Sequence, residues 1–334
     1  MQHHHAFPVL LAGLLATVLP AVANDTTANI AAGGLVFEKT DAIEMQSEDL
    51  SISTEEIKVV YSFRNTTAAD VTTTVAFPMP DVTFQPFEIV HIPSEDPNNP
   101  FDFTTTVDGK PVDMKLEQTV RANDKDVTAT MDQLKLPRSR EDGGKALEAL
   151  PEETKQQVID AGIAIPEEYD DGNGGGTKIH VSPGWTLRNA YHWQQTFPAG
   201  KTISIVHRYK PSVGGSVGTA LGSSYAEPPE IAELRKKYCI DDDLMRTVEK
   251  KSKAAAEGSI AFNQHSVDYI LVTGANWAKP IGDFRLTVDK GEAKNLVSFC
   301  GSGVKKIAPT VFEMRKKDFL PKEDLHVIIL SPAE

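Results

Sequence analysis

The sequence has two cysteines in 334 residues, which excludes a cysteine-rich zinc module and a dense disulfide scaffold. It is short of positive charge. Lys and Arg number 34 against 47 Asp and Glu, for a net charge of −13. Without a basic footprint, neither nucleic acid nor an anionic membrane surface is expected as a partner. After Asn24 no apolar run approaches the length of a bilayer span, and no segment repeats at a fixed period. What is present suits a folded protein: 40% hydrophobic and 24% charged residues can build a packed core, and the length allows two domains.

Residues 1–23 contain no Asp, Glu, Lys or Arg. Val9–Leu19 is a short apolar run, Pro20 breaks it, and Ala21-Val22-Ala23 supplies a small-x-small cleavage pattern. This predicts a signal peptide over 1–23, cleaved before Asn24, and a periplasmic or secreted mature chain. The departure from the usual pattern is an n-region whose only side chains able to carry positive charge are His3, His4 and His5. In an oxidising compartment the lone pair Cys239 and Cys300 reads first as a disulfide, with two free buried thiols as the alternative. Closing a 61-residue loop should stabilise the fold by roughly 4 kcal/mol in the chain-entropy model.

The patterning is mainly β. Ile57, Val59, Tyr61 and Phe63 alternate with polar neighbours, and Val71, Thr73, Val75 and Phe77 follow after a polar turn; together they predict an antiparallel hairpin. Asp108-Gly109 predicts another. Between 131 and 170 the spacing of Leu134, Leu136, Leu147, Leu150, Val158 and Ile159 predicts two short helices, followed by a flexible connector over 170–176. Tyr191–Phe197 and Ile203–Tyr209 return to alternation. Val213–Ser224 reads as an irregular Gly/Ser loop. Pro228 opens a helix to about Tyr238, and Asp241–Asp243 cap a second to about Glu257. Strands resume from Tyr269 to the end. The expected architecture is β-sandwich-like: an N-terminal β domain over 24–224 with its helical insert, a helical hairpin over 225–258, and a C-terminal β domain over 259–334.

Several stretches together carry a family resemblance. They are AAGGLVFEKTDAIEMQSEDLSISTEEIKVVYSFRN at Ala31–Asn65, VAFPMPD at Val75–Asp81, TVDGKPVD at Thr106–Asp113, QTFPAGKT at Gln195–Thr202, YKPSVGGSVGT at Tyr209–Thr219 and NLVSFCGSG at Asn295–Gly303. The mature chain resembles, over nearly its whole length, the exported bacterial proteins grouped as domain of unknown function 4424. The resemblance implies an exported, mainly β protein and transfers no catalytic residue.

Candidate chemistry is sparse. Gly214-Gly215-Ser216-Val217-Gly218 matches the G-x-S-x-G pattern of a nucleophile elbow, with His265 and Asp268 downstream. The elbow needs a strand–turn–helix and alternating βα units, and the pattern here provides neither. Trp185, Tyr191 and Trp193 could form a glycan-binding strip if exposed, but the shared parity of Tyr191, Trp193 and Phe197 favours an inward face. Asp170, Asp171 and Asn173 lack the remaining calcium-loop positions. His180, His192, His207 and His265 have no metal-site spacing, and His207 reads as a core histidine. No metal or cofactor is expected. The reading is a non-enzymatic binding or accessory protein with an unidentified protein or cell-envelope partner. A serine hydrolase using Ser216 and a glycan-binding module using Trp185 and Trp193 are its rivals.

Overall fold

The computed structural model describes residues 24–31, 34–86, 89–170, 172, 176–223, 226–255 and 259–333. The strands, in chain order, are β1 Thr26–Ala31, β2 Gly34–Glu38, β3 Ile43–Ile52, β4 Ile57–Asn65, β5 Val71–Pro78, β6 Val82–Thr83, β7 Ile89–Val90, β8 Thr104–Val107, β9 Lys110–Pro111, β10 Lys115–Ala122 and β11 Lys125–Asp126. They continue as β12 Ala164–Tyr169, β13 Lys178–Pro183, β14 Thr186–Phe197, β15 Thr202–Tyr209, β16 Gly214–Ser216, β17 Phe262–Tyr269, β18 Ile281–Asp289, β19 Leu296–Phe299, β20 Lys305–Lys306, β21 Val311–Phe319 and β22 Leu325–Pro332. Helices α1 Thr128–Gln133, α2 Arg140–Glu148 and α3 Glu152–Asp160 precede β12, and α4 Pro228–Tyr238 and α5 Asp242–Ala254 precede β17.

Three large sheets carry the fold. One runs β11-β10-β14-β5-β1-β2, with β6 beside β14; one runs β20-β21-β18-β3-β4-β15-β8-β9; the third runs β19-β22-β17-β16-β7. The molecule is therefore mainly β, as the alternation implies. The expected partition at 224 and 259 does not separate the sheets. β18 lies parallel to β3, with Leu286 opposite Leu50, so the late chain completes a sheet begun by the early chain. Conversely, β7 and β16 extend the sheet of β17 and β22. Local pattern reveals strands but not their long-range partners, and these partners cross both expected boundaries.

Strand β22 explains the layering. Val327 and Ile329 pack into the main core, while Ile328 and Leu330 pack into a second cluster with Leu221, Tyr238, Met245, Val248 and Phe262. A strand covered on both faces reads as a continuous apolar run. The cover on the second face is α4 and α5. Cys239, the left-handed C-terminal cap of α4 (φ 51°), is bonded to Cys300 just after β19, fastening the helices to that sheet. Asp241 Oδ1 caps α5 by accepting from Leu244 N at 2.8 Å.

The insert holds three helices rather than two. Gly143 of α2 lets that helix close on Trp185, since a Cβ there would lie 2.6 Å from the indole. The expected connector over 170–176, of which 171 and 173–175 lie outside the described residues, falls between β12 and β13, which pair with each other. The Gly/Ser stretch contains β16, paired with β17. A Cβ on Gly214 would meet Ser266 Oγ at 2.6 Å, so a larger residue there would require that hydroxyl to turn away.

Replacing Cys239 and Cys300 together by serine is expected to leave the sheets intact and lower stability by roughly 3–4 kcal/mol. Urea unfolding should show a reduced midpoint with little change in slope. An unchanged midpoint would mean that the crosslink contributes nothing.

Candidate functional site

The Ser216 constellation does not assemble. Gly215 pairs with His265 and Ser216 with Gln264. Paired residues of a ladder share a face and successive residues alternate, so Ser216 and His265 project from opposite faces. Ser216 Oγ donates to Gly218 O at 2.8 Å. His265 Nε2 is instead 3.2 Å from Ser331 Oγ. Asp268 takes a different histidine, with Oδ1 2.8 Å from His326 Nδ1 and Oδ2 3.4 Å from Lys237 Nζ. Burial pushes the Asp268 carboxyl up, but the His326 hydrogen bond and the Lys237 charge more than offset this and leave it below its ordinary range.

The aromatic strip faces inward. Trp185 is 0%, Tyr191 2% and Trp193 4% exposed, so the surface rings that the glycan rival requires are not presented. Tyr191 stacks on Phe103 with centroids 4.4 Å apart, and Trp193 meets His207 edge-on. Of the acidic connector, Asp171 and Asn173 lie outside the described residues, and Asp170 Oδ1 accepts from Gly172 N.

Two features have the character of a site. The first is a cleft of about 550 Å³ where the eight-stranded sheet abuts the five-stranded one. Glu55 from the β3–β4 turn, Lys210 after β15, Lys290 and Asn295 after β18, His91 after β7 and His265 on β17 contribute to its wall. Lys210 pairs with Asp102 at 2.7 Å. Lys290 Nζ donates to the carbonyls of Ala293 and Asn295, and burial, with Lys306 and Lys251 nearby, lowers its pKa. Asn295 Nδ2 donates to Lys290 O at 2.8 Å, while its Oδ1 is enclosed and has no partner.

The second is a polar network in the main core. Asn24, Asp25, Tyr61, His207 and Tyr269 are 0% exposed and Glu48 is 1%. Asn24 Nδ2 donates to Glu48 Oε2 at 3.0 Å, and Asn24 Oδ1 accepts from Asp25 N and from the Tyr61 hydroxyl. The Tyr61 and Tyr269 hydroxyls are 3.0 Å apart, and Tyr269 lies 3.4 Å from Glu48 Oε1. His207 Nε2 is 3.0 Å from Asp25 Oδ1, and its Nδ1 is 2.9 Å from Thr105 Oγ1. Asp25 Oδ2 is enclosed without a partner. Burial raises the pKa of Asp25, against the pull of His207. Burial also raises Glu48 to about 8.

His207 was legible as a core histidine. Glu48, Asn24 and Asp25 were missed. Glu48 faces inward because β3 has a bulge between Met45 and Ser47; inward residues are odd before it (Ile43, Met45) and even after it (Glu48, Leu50, Ile52). That change of parity is visible in the sequence and is the signal that would have found Glu48.

The profile of a family described as a domain of unknown function (DUF4424) matches residues 23–328. No curated protein matches the chain. Among solved structures, a Legionella pneumophila subsp. pneumophila protein provisionally named for nutrient binding is similar at 17% identity with a TM-score of 0.45. The match covers 92% of this chain and 70% of that one.

Glu48 sets a pH dependence in a chain whose residue 24 is still joined to residue 23. An unfolded carboxyl releases its proton near 4.5 and the folded one near 8. Because the folded pKa is the higher, stability is complete below the first value. It declines as pH rises through the window between them and levels off above. The urea midpoint should therefore fall between pH 5 and pH 8 by the equivalent of a few kcal/mol. In Glu48→Gln that decline should shrink sharply; an equal decline in the variant would contradict the assignment.

Proposed function

The chain belongs to the DUF4424 family, and from that premise we propose that it is an exported, non-enzymatic binding or accessory protein whose ligand enters the cleft between the two sheets. The observation that carries this reading is a cleft of about 550 Å³ walled by Lys210, Lys290, His91 and His265, whose basic and imidazole groups suit a small polar ligand. Clefts at the junction of two layers are where small ligands usually bind. The disulfide between Cys239 and Cys300 supports export, since such bonds persist in oxidising compartments.

Of the sheet edges, β9, β11 and β20 are two residues long and each contains lysine, features that oppose strand addition there, whereas β2 spans Gly34–Glu38 without one.

Protein recovered from the native cell envelope is expected to begin at Asn24 and to carry a small polar molecule in native mass spectrometry. His265→Ala and Lys210→Ala should each reduce its occupancy about tenfold, roughly the effect of losing one good polar contact, without moving the urea midpoint. Sustained turnover of a generic ester, abolished by Ser216→Ala, would overturn the reading.

A further inference from the structure

Residue 24 is the point at which the export reading places the cleavage, and it lies in the centre of the polar network rather than at the surface. Asn24 and the adjoining Asp25 are 0% exposed. The network has an imbalance. It buries two carboxyl groups, Asp25 and Glu48, and among the described residues neither is paired with a lysine or arginine. Asp25 has His207, and Glu48 has only the neutral Asn24 amide and the Tyr269 hydroxyl. Asp25 Oδ2 is enclosed with no partner at all. A buried carboxylate lacking a cation is strongly unfavourable, so this arrangement lacks one positive charge.

We propose that the pocket formed by Asp25, Glu48, Tyr61 and Tyr269 is the binding site for a primary ammonium, and that its occupant is the chain's own α-amino group, released when the bond before Asn24 is cut. This rests on the export reading above. The chemistry is simple hydrolysis of the 23–24 peptide bond: water supplies the hydroxyl to the departing carboxyl end, and Asn24 keeps its nitrogen as an amine that is protonated near neutral pH. Before the cut that nitrogen is an uncharged amide with one proton. After it, an ammonium with three donors occupies the same place. Bond lengths keep the α-nitrogen within about 5 Å of Asn24 Nδ2, and Nδ2 is 3.0 Å from Glu48 Oε2. The α-nitrogen is thus no more than about 8 Å from Glu48 Oε2, close enough in a buried site for a cation there to favour the ionised carboxylate, and Asp25 Oδ2, which has no partner, is a second acceptor in the same pocket.

The charged and titratable groups facing the ammonium come from every surrounding strand. They are Asp25 beside β1, Glu48 on β3, Tyr61 on β4, His207 on β15 and Tyr269 on β17. Of these, only His207 can add positive charge, and it is engaged by Asp25 and Thr105. Cleavage therefore changes the sign of the pocket's need. The uncut chain keeps Glu48 neutral; the cut chain ionises it into an ion pair. Processing and stability become coupled, with the mature form the more stable of the two above the ordinary carboxylate range.

The test uses the whole mature chain with a native Asn24 terminus, compared with the same chain carrying one extra residue, Ala23, at its start. Each is also made as Glu48→Gln, a neutral variant of nearly the same shape. The native terminus should raise the folding equilibrium constant at pH 7.5 at least tenfold over the extended chain. That advantage should vanish in the Glu48→Gln pair. The α-amino group should also resist acetylation in the folded mature chain while surface lysines react. An advantage below tenfold, an advantage that survives Glu48→Gln, or an α-amine as reactive as a surface lysine would each overturn the proposal. If Glu48→Gln fails to fold, the α-amine reactivity decides alone. Sequencing the envelope form separates the two failures. A terminus other than Asn24 refutes the export reading and with it the delivery of the amine. A terminus at Asn24 with no stabilising effect refutes the pocket alone.

Discussion

Strand β3 is hydrogen-bonded along both edges, to β4 from the early chain and to β18 from the late chain, and the rest of the molecule depends on that double pairing. The antiparallel partner follows a short turn and needs little entropy to close. The parallel partner comes from more than 200 positions later, so closing that pairing costs more chain entropy. The bulge in β3 requires an accommodation in its late partner. A Cβ at Gly282 would lie 2.7 Å from Gln46 O, so the residue just before the parallel pairing begins has no side chain. Bulge and glycine, widely separated in sequence, are parts of one contact.

The same bulge places a carboxyl group in the core. Without it, Ser47, Asp49 and Ser51 would continue the inward face of Ile43 and Met45, and Glu48, Leu50 and Ile52 would face outward. With it, Tyr61, directly opposite Glu48, and Tyr269 must offer hydroxyls toward the core's centre. Ordinary packing explains Phe63, Phe77 and Phe103 around this point, but not a glutamate and an aspartate. A buried polar network is weaker than an apolar core of equal volume, and is more demanding of geometry. Its presence at the junction of β1, β3, β4, β15 and β17 fixes how the three sheets meet, because the hydrogen-bond partners are specific where apolar contacts are not.

What was legible in the sequence was local. Alternation in β4, β5, β14 and β15 revealed strands and inward faces, Asp241 revealed a helix start, and the parity of Tyr191 with Trp193 revealed their burial. Pairing was not legible. Nothing near Phe284 indicates that its strand joins β3, and nothing near Ile89 indicates that β7 joins β16. The third helix of the insert was missed because Thr128–Gln133 is a six-residue turn of helix with one buried residue, Met131, too short for periodicity to register. The polar network was missed for a related reason: Asn24 and Asp25 lie in a polar run, NDTT, whose burial arises wholly from tertiary structure.

The failure of the G-x-S-x-G match has a physical cause that no local adjustment removes. A nucleophile must reach its base, and Ser216 and His265 are on opposite faces of one two-strand ladder. Rotamer changes move a side chain within its half-space; only a one-residue slip of β16 against β17 would bring them to the same face. That slip is resisted because it would misalign β7, which pairs with Gly214 and Gly215 on the other edge. Of the glycines that make the motif, Gly214 lies against Ser266 Oγ and Gly218 adopts a φ of 97° that favours glycine, so neither needs a catalytic explanation. The two faces they separate open onto different cavities, with Ser216 on one and His265 on the other.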